Sequence, residues 1–149
     1  MATIDWRNFR CVDDDQSFRV LFENMLRALE ISKVTSGRSV ADARGIFHTL
    51  NHAVDAVFCD FSMENGSGLE LLRAIRMGEI KAVKPETCFI MVTASSGSGL
   101  VNLATALDVN GFLVKPLSVN KLRSTIQKAM QKEFVAGPKR YAEVVIPGV

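Results

Sequence analysis

Three kinds of side chain in this sequence could act together: the carboxylates of Asp13, Asp14 and Asp60, the hydroxyl of Thr93 and the ammonium of Lys115. Carboxylates brought into one site repel one another, and a hard divalent cation relieves that repulsion. Mg²⁺ takes oxygen ligands, commonly one or two carboxylates, several waters and a substrate phosphate. A phosphoryl group completing such a site would need a hydrogen-bond donor for one oxygen and a positive charge for another. Thr93 and Lys115 supply these. Asp60 could then act as the nucleophile and form an acyl phosphate. The remaining catalysis would be positioning and charge stabilisation. Taken singly, each residue has an ordinary explanation. Asp13 to Asp15 read alone as a solvated acidic loop, Thr93 as a β-favouring residue and Lys115 as a solvated lysine.

Whether these groups can meet depends on the elements that carry them. Short apolar runs alternate with helical patterns along the chain. Phe9 to Val12 precedes the acids, and Phe18, Leu21, Phe22, Met25, Leu26 and Leu29 then recur at helical spacing. Lys33 to Ser36 reads as a short strand, and Ser39 as the cap of a helix carrying Val40, Ala43, Phe47 and Leu50, with Asp42 placed as its acid. Ala53 to Cys59 is a buried strand ending at Asp60. Ser67 and Glu70 form a capping box for a helix with Leu69, Leu72 and Ile75 inside. Phe89 to Val92 ends at Thr93, and Leu100, Leu103, Ala104 and Leu107 mark a fourth helix. Gly111 to Val114 ends at Lys115-Pro116, before a last helix capped by Ser118 and lined by Val119, Leu122, Ile126 and Met130.

Five strands alternating with five helices require crossover connections, and so a parallel sheet covered on both faces. The fold class is α/β, a doubly wound five-stranded sheet of order 2-1-3-4-5 with a flavodoxin-like arrangement. In such sheets functional groups gather at the carboxyl ends of strands, near the point where strand order reverses. All the candidate residues fall at such ends. That coincidence outweighs their separate explanations.

The chain of 149 residues reads as one domain with a core over residues 9–133 and a C-terminal extension over 134–149. Val144 to Ile146 could add a strand or dock on the surface, and a loosely ordered tail is the other reading. A net charge of +2 with scattered cations gives no electrostatic case for nucleic acid or membrane binding. No apolar stretch is long enough to span a bilayer and no signal peptide opens the sequence, so a cytoplasmic location is expected. Cys11, Cys59 and Cys88 form no CxxC pair and read as reduced thiols, with Cys11 and Cys59 as small core residues.

The motifs together resemble the receiver domains of response regulators, as in the single-domain chemotaxis type. Val12 to Asp15 with Arg19 resembles the family's opening. Asp60-Phe61-Ser62-Met63 with Gly68-Leu69-Glu70-Leu71-Leu72 resembles its phosphoacceptor segment. Met91 to Ala94 and Phe112 to Pro116 are similar to its threonine and Lys-Pro signatures. The resemblance implies Asp13 and Asp14 as the acidic metal pair, Asp60 as the phosphorylated residue and the Ser62 carbonyl as a further Mg²⁺ ligand. It implies Thr93 and Lys115 as phosphoryl contacts, a cis bond between Lys115 and Pro116, and Phe112 as the aromatic switch that turns inward as Thr93 moves. Asp15 reads as an exposed acid at the helix start. The implied partners are a sensor histidine kinase or a histidine phosphotransfer protein, and a downstream protein bound by the surface of the fourth helix, fifth strand and fifth helix. The implied role is a phosphorelay switch of a two-component system and not an enzyme. Oligomeric state stays open.

Some positions depart from the family's pattern. Glu64 replaces a proline, Ser95 to Gly99 make a pliable loop, and Asp108-Val109 replaces a small pair. His48 and His52 lack the motifs of a phosphodonor and read as solvated histidines. Three other functions fit less well. A phosphatase with an aspartyl-phosphate intermediate wants an acid where Ser62 stands. A flavodoxin-like cofactor binder would meet three acids in place of a phosphate loop. A receiver-like interaction module that is never phosphorylated would not need the complete acceptor set.

Overall fold

The apolar runs become strands because each can be covered on both faces. The computed structural model describes residues 8–31, 33–48, 54–63, 66–94 and 97–146. Strands β1 (Phe9–Val12), β3 (Ala56–Asp60) and β6 (Cys88–Thr93) are buried at every position, as expected for the inner strands of a parallel sheet. With β2 (Val34–Gly37) and β7 (Gly111–Val114) they form one parallel sheet of order β2-β1-β3-β6-β7. This is the predicted 2-1-3-4-5 order. The labels differ because a small antiparallel hairpin, β4 (Ser62–Met63) and β5 (Gly66–Ser67), follows Asp60. No periodic pattern in the sequence announces so short a pairing.

Strand alternation divides the core in two. Phe9, Cys11, Phe58 and Ile90 face α1 (Gln16–Ala28) and α5 (Val119–Gln131). Val12, Val57, Cys59 and Met91 face α2 (Val40–His48), α3 (Gly68–Arg76) and α4 (Ser98–Ala106). All three cysteines are free and buried. The predicted caps form. Ser118 accepts from the Lys121 amide, and Ser67 and Glu70 make a reciprocal box. Asp15, read only as an exposed acid at the helix start, caps α1 by accepting from the Phe18 amide. Ser39 accepts from the Asp42 amide, but the Asp42 carboxylate accepts from Arg38 and not from Ser39.

Two inward predictions fail. Leu21 is half exposed, because it lies about 100° around the helix from Phe22. Met130 is also exposed, and its neighbour Ala129 is buried instead. Leu50 and His52 lie outside the described residues. No helix among the described residues is long and apolar enough to cross a membrane.

A sixth helix, α6 (Pro138–Ala142), exceeds the five predicted. The extension docks. Tyr141 is fully buried and Ile146 nearly so, both within the core over α3 and α4. Tyr141 donates its hydroxyl proton to Asp108 Oδ2 at 2.6 Å, and Arg140 donates to the same oxygen at 2.7 Å. Asp108 occupies the left-handed region at φ 54° just after α4, a conformation that aspartate tolerates better than most residues. The Asp108 substitution for a small residue thereby acquires a physical role, as the anchor of the extension.

Beneath it lies Arg76, fully buried at the end of α3. Its guanidinium donates to the carbonyls of Pro85, Thr87, Leu107 and Asp108 and to Asn110 Oδ1, at 2.7–3.1 Å. The Phe134 ring lies 4.6 Å from its Cζ. One side chain thus joins α3, α4, the approach to β6 and the approach to β7.

Burial works against the Asp108 carboxylate, but the hydrogen bonds from Tyr141 and Arg140 prevail and hold its pKa below the usual carboxylate range. A group depressed in this way stabilises the fold above its unfolded pKa and loses that contribution as pH falls through the folded one. Tyr141→Phe should therefore cost about 1.5–3 kcal/mol in urea unfolding at pH 7, the range for a hydrogen bond to a charged group. The difference from wild type should shrink as pH falls below about 5, towards the folded pKa. A difference that is independent of pH would mean that the hydroxyl does not serve Asp108.

Candidate functional site

Register brings the site together. Val12 is paired with Cys59, so the next residues of the two strands, Asp13 and Asp60, are lateral neighbours. Asp60 is paired with Val92, and Thr93 with Val114. Each strand from β3 to β7 therefore presents its functional residue one step further along. Asp13, Asp60 and Thr93 are buried, whereas Asp14 is exposed. Carboxylate oxygens of Asp13, Asp14 and Asp60 all lie within 4.8 Å of one another. The donor set consists wholly of hard oxygens and fits Mg²⁺.

Lys115 offsets the crowding. Its Nζ donates to Asp13 Oδ2 at 2.7 Å and lies 3.7 Å from Asp60 Oδ2. Its backbone amide donates to the Thr93 carbonyl at 2.8 Å, which locks the ends of β6 and β7 together. The Lys115-Pro116 bond is cis, as expected. The other Asp13 oxygen accepts from the Asp15 amide at 2.9 Å, and Arg19 donates to the Asp13 carbonyl at 2.6 Å. Asp13 is thus held on three sides before any ligand is considered.

The charge of Asp60 is disfavoured by its surroundings. Burial, followed by the neighbouring Asp13, pushes its pKa up to about 6, against the pull of Lys115 and a hydrogen bond from the Ser62 backbone. The chain turns away from it through the hairpin and returns at Gly68. That glycine's amide donates to the Phe61 carbonyl at 2.8 Å. A Cβ at Gly68 would stand 2.4 Å from the Asp60 carbonyl oxygen and 2.9 Å from Met91 Sδ. Only glycine lets α3 start this close to the end of β3.

Phe112 is half-buried on β7 and packs against the core of α3 and α4. Glu64, Ser95 and Ser96 lie outside the described residues, and His48 closes α2. One contact had no signal in the sequence. The Lys115 ammonium lies 4.0 Å from the centroid of the Phe18 ring. Phe18 falls on the apolar stripe of α1 and packs at the edge of that core as predicted, but its spacing says nothing of a lysine brought in from β7.

Residues 9–127 match the family described as the response regulator receiver domain. The chain belongs to that family. This receiver domain is 30% identical over 121 residues to the chemotaxis protein CheY of Pseudomonas aeruginosa, covering 81% of this chain and 94% of that protein. It is 29% identical over 119 residues to a probable CheY of Rhizobium etli, with 78% of this chain and 86% of that protein covered. Among solved structures, Vibrio cholerae CheY4 superposes with a TM-score of 0.72 at 22% identity, covering 83% of this chain and 98% of its own. These likenesses support a phosphoryl-accepting switch of the two-component class that resembles chemotaxis regulators.

A raised carboxylate pKa has a definite consequence for stability. Between the unfolded pKa and about 6, folded Asp60 binds its proton more tightly than unfolded Asp60, so stability falls as pH rises through that window. Asp60→Asn removes the charge that burial, Asp13 and Asp14 oppose. In metal-free buffer at pH 7.5 it should gain on the order of 1 kcal/mol after allowance for solvent screening, or a few degrees in Tm. The gain should vanish near pH 4. A loss of stability at pH 7.5 would show that Lys115 outweighs the repulsion.

Proposed function

We propose that Asp60 receives a phosphoryl group from a sensor histidine kinase or a histidine phosphotransfer protein. The observation that carries this reading is the placement of Asp60 beside Asp13, with the Lys115 ammonium reaching both. In the transfer, an Asp60 carboxylate oxygen forms the new P–O bond. The P–N bond to the donor imidazole breaks, and the imidazole leaves with that electron pair. Asp13, Asp14, Asp60 and the Ser62 carbonyl would hold Mg²⁺, which supplies charge neutralisation when bound.

The chain's own groups do the rest. Lys115 neutralises one phosphoryl oxygen, and the Thr93 hydroxyl donates to another. Drawing Thr93 toward the phosphate leaves space for Phe112 to turn inward. This shifts a two-state equilibrium in the surface of α4, β7 and α5, where a downstream protein would bind. The reading is of a cytoplasmic switch that is modified by its partner, and not of an enzyme turning over a substrate.

Intact-mass spectrometry after incubation with acetyl phosphate and Mg²⁺ tests this directly. Wild type should gain one phosphoryl group and Asp60→Asn none. Millimolar Mg²⁺ should raise the wild-type Tm by mass action, and Asp13→Asn should abolish the rise. A folded, Mg²⁺-binding protein that takes no phosphoryl group would point to an interaction module instead.

A further inference from the structure

Lysine is a flexible acid-site cation. Its four-carbon stem carries about 2 kcal/mol of rotamer entropy, and its ammonium is a compact point charge that water solvates strongly. In this site the ammonium has a hydrogen bond to Asp13 at 2.7 Å and a longer contact with Asp60 at 3.7 Å. Both are carboxylates, and both are also placed to serve other ligands. The Phe18 ring, whose centroid lies 4.0 Å from the same nitrogen, makes no such competing demand. Phe18 stands in the first turn of α1, three residues after the cap Asp15, whose side chain accepts from the Phe18 amide. Its ring is braced by Phe22, with centroids 5.7 Å apart, and Phe22 is in turn packed on Phe58 of β3. The aromatic face is therefore fixed by the core and presented to the lysine.

We infer that Phe18 is a positioning residue for Lys115, holding the ammonium over the acceptor carboxylate through its ring face. This rests on the function proposed for Asp60 and names a further residue that serves it. A hydrogen bond to Asp13 is directional, and it weakens as the ammonium moves toward a phosphoryl group on Asp60. Attraction to a ring face tolerates such a shift, because the cation can slide across the quadrupole without leaving it. With the ring on one side and Asp13 in contact, the Lys115 side chain is only 20% exposed. Phe18 thus keeps the ammonium available through the transfer, while Asp13 fixes only its resting place.

The test replaces Phe18 alone with phenylalanine analogues carrying one, two or three ring fluorines, which weaken the ring's negative face with little change in size. The rate of Asp60 phosphorylation by acetyl phosphate should fall stepwise with fluorination, by roughly two- to tenfold in all. Phe18→Leu should match the most fluorinated ring, and Phe18→Tyr should retain the wild-type rate. By NMR, the Lys115 ε-methylene protons should be shifted upfield by the ring in wild type and return to ordinary values in Phe18→Leu. That second readout needs no phosphoryl transfer. A wild type that is phosphorylated at a rate indifferent to fluorination would overturn the inference while leaving the Asp60 reading intact. Lys115 protons at ordinary values in wild type would also overturn it. A wild type that takes no phosphoryl group would overturn both.

Discussion

The structure depends on one unfavourable contact and its relief. Two buried carboxylates, Asp13 and Asp60, end adjacent parallel strands, with Asp14 beside them. Unit charges about 4 Å apart near a protein surface repel by roughly 4 kcal/mol at an effective dielectric of about 20. Lys115 comes from the end of β7, two strands from β3 and three from β1, to offset that repulsion. No single element could produce this arrangement. It requires β1, β3, β6 and β7 to lie parallel, in a register that sets Asp13 level with Asp60 and steps Thr93 and then Lys115 one residue further along. The sheet is in this sense the device that stores charge. The Lys115 cation is already in place among these carboxylates, so the charge arrangement needs little reorganisation to form.

The features legible in the sequence were those set by local chemistry or strict periodicity. Strand β7 was predicted at Gly111 to Val114 and is found there, and the Ser67–Glu70 capping box formed as read. The order of the sheet followed from the alternation of strands and helices. The strand-end rule then gathered Asp13, Asp60, Thr93 and Lys115 without any knowledge of distances. Leu21 failed because apolar spacing of three or four admits residues at the margin of a stripe, where the sheet no longer covers them. The docking of the extension was left open and Tyr141 was not singled out, because its partner Asp108 is distant in sequence and nothing local marks either residue for the other. Phe18 was placed on the right helix face, yet its ring serves a lysine as well as the core. A hydrophobic pattern records burial but not the identity of the polar group at its edge.

The two ends of the sheet are built on opposite principles. At the carboxyl ends, charges of like sign are held close, and Gly68 is needed so that α3 can start against Asp60. At the amino ends, Arg76 saturates carbonyls from several segments, and Asp108 gathers Tyr141 and Arg140. Burial lowers the Arg76 guanidinium to about 10, which leaves it charged at neutral pH and fully engaged. Dense bonding is thus found at the end of the sheet away from the crowded carboxylates.

Helix α4 connects these two regimes, and its ends reflect the difference. Its C-terminus is closed by the left-handed Asp108, whose carbonyl accepts from Arg76 and whose carboxylate anchors the extension. Its N-terminus begins at Gly97 without a side-chain cap, only a few residues past Thr93. A helix fastened at one end and uncapped at the other yields more easily at the free end, because fewer bonds must be exchanged there. The free end is the one that follows Thr93 at the carboxyl ends of the strands. The extension, by burying Tyr141 against α3 and α4, adds to the fastening at the far end and leaves the near end untouched. The departure at Asp108 and the residues beyond Glu133 therefore form one feature of this chain, which fastens α4 at its C-terminal end.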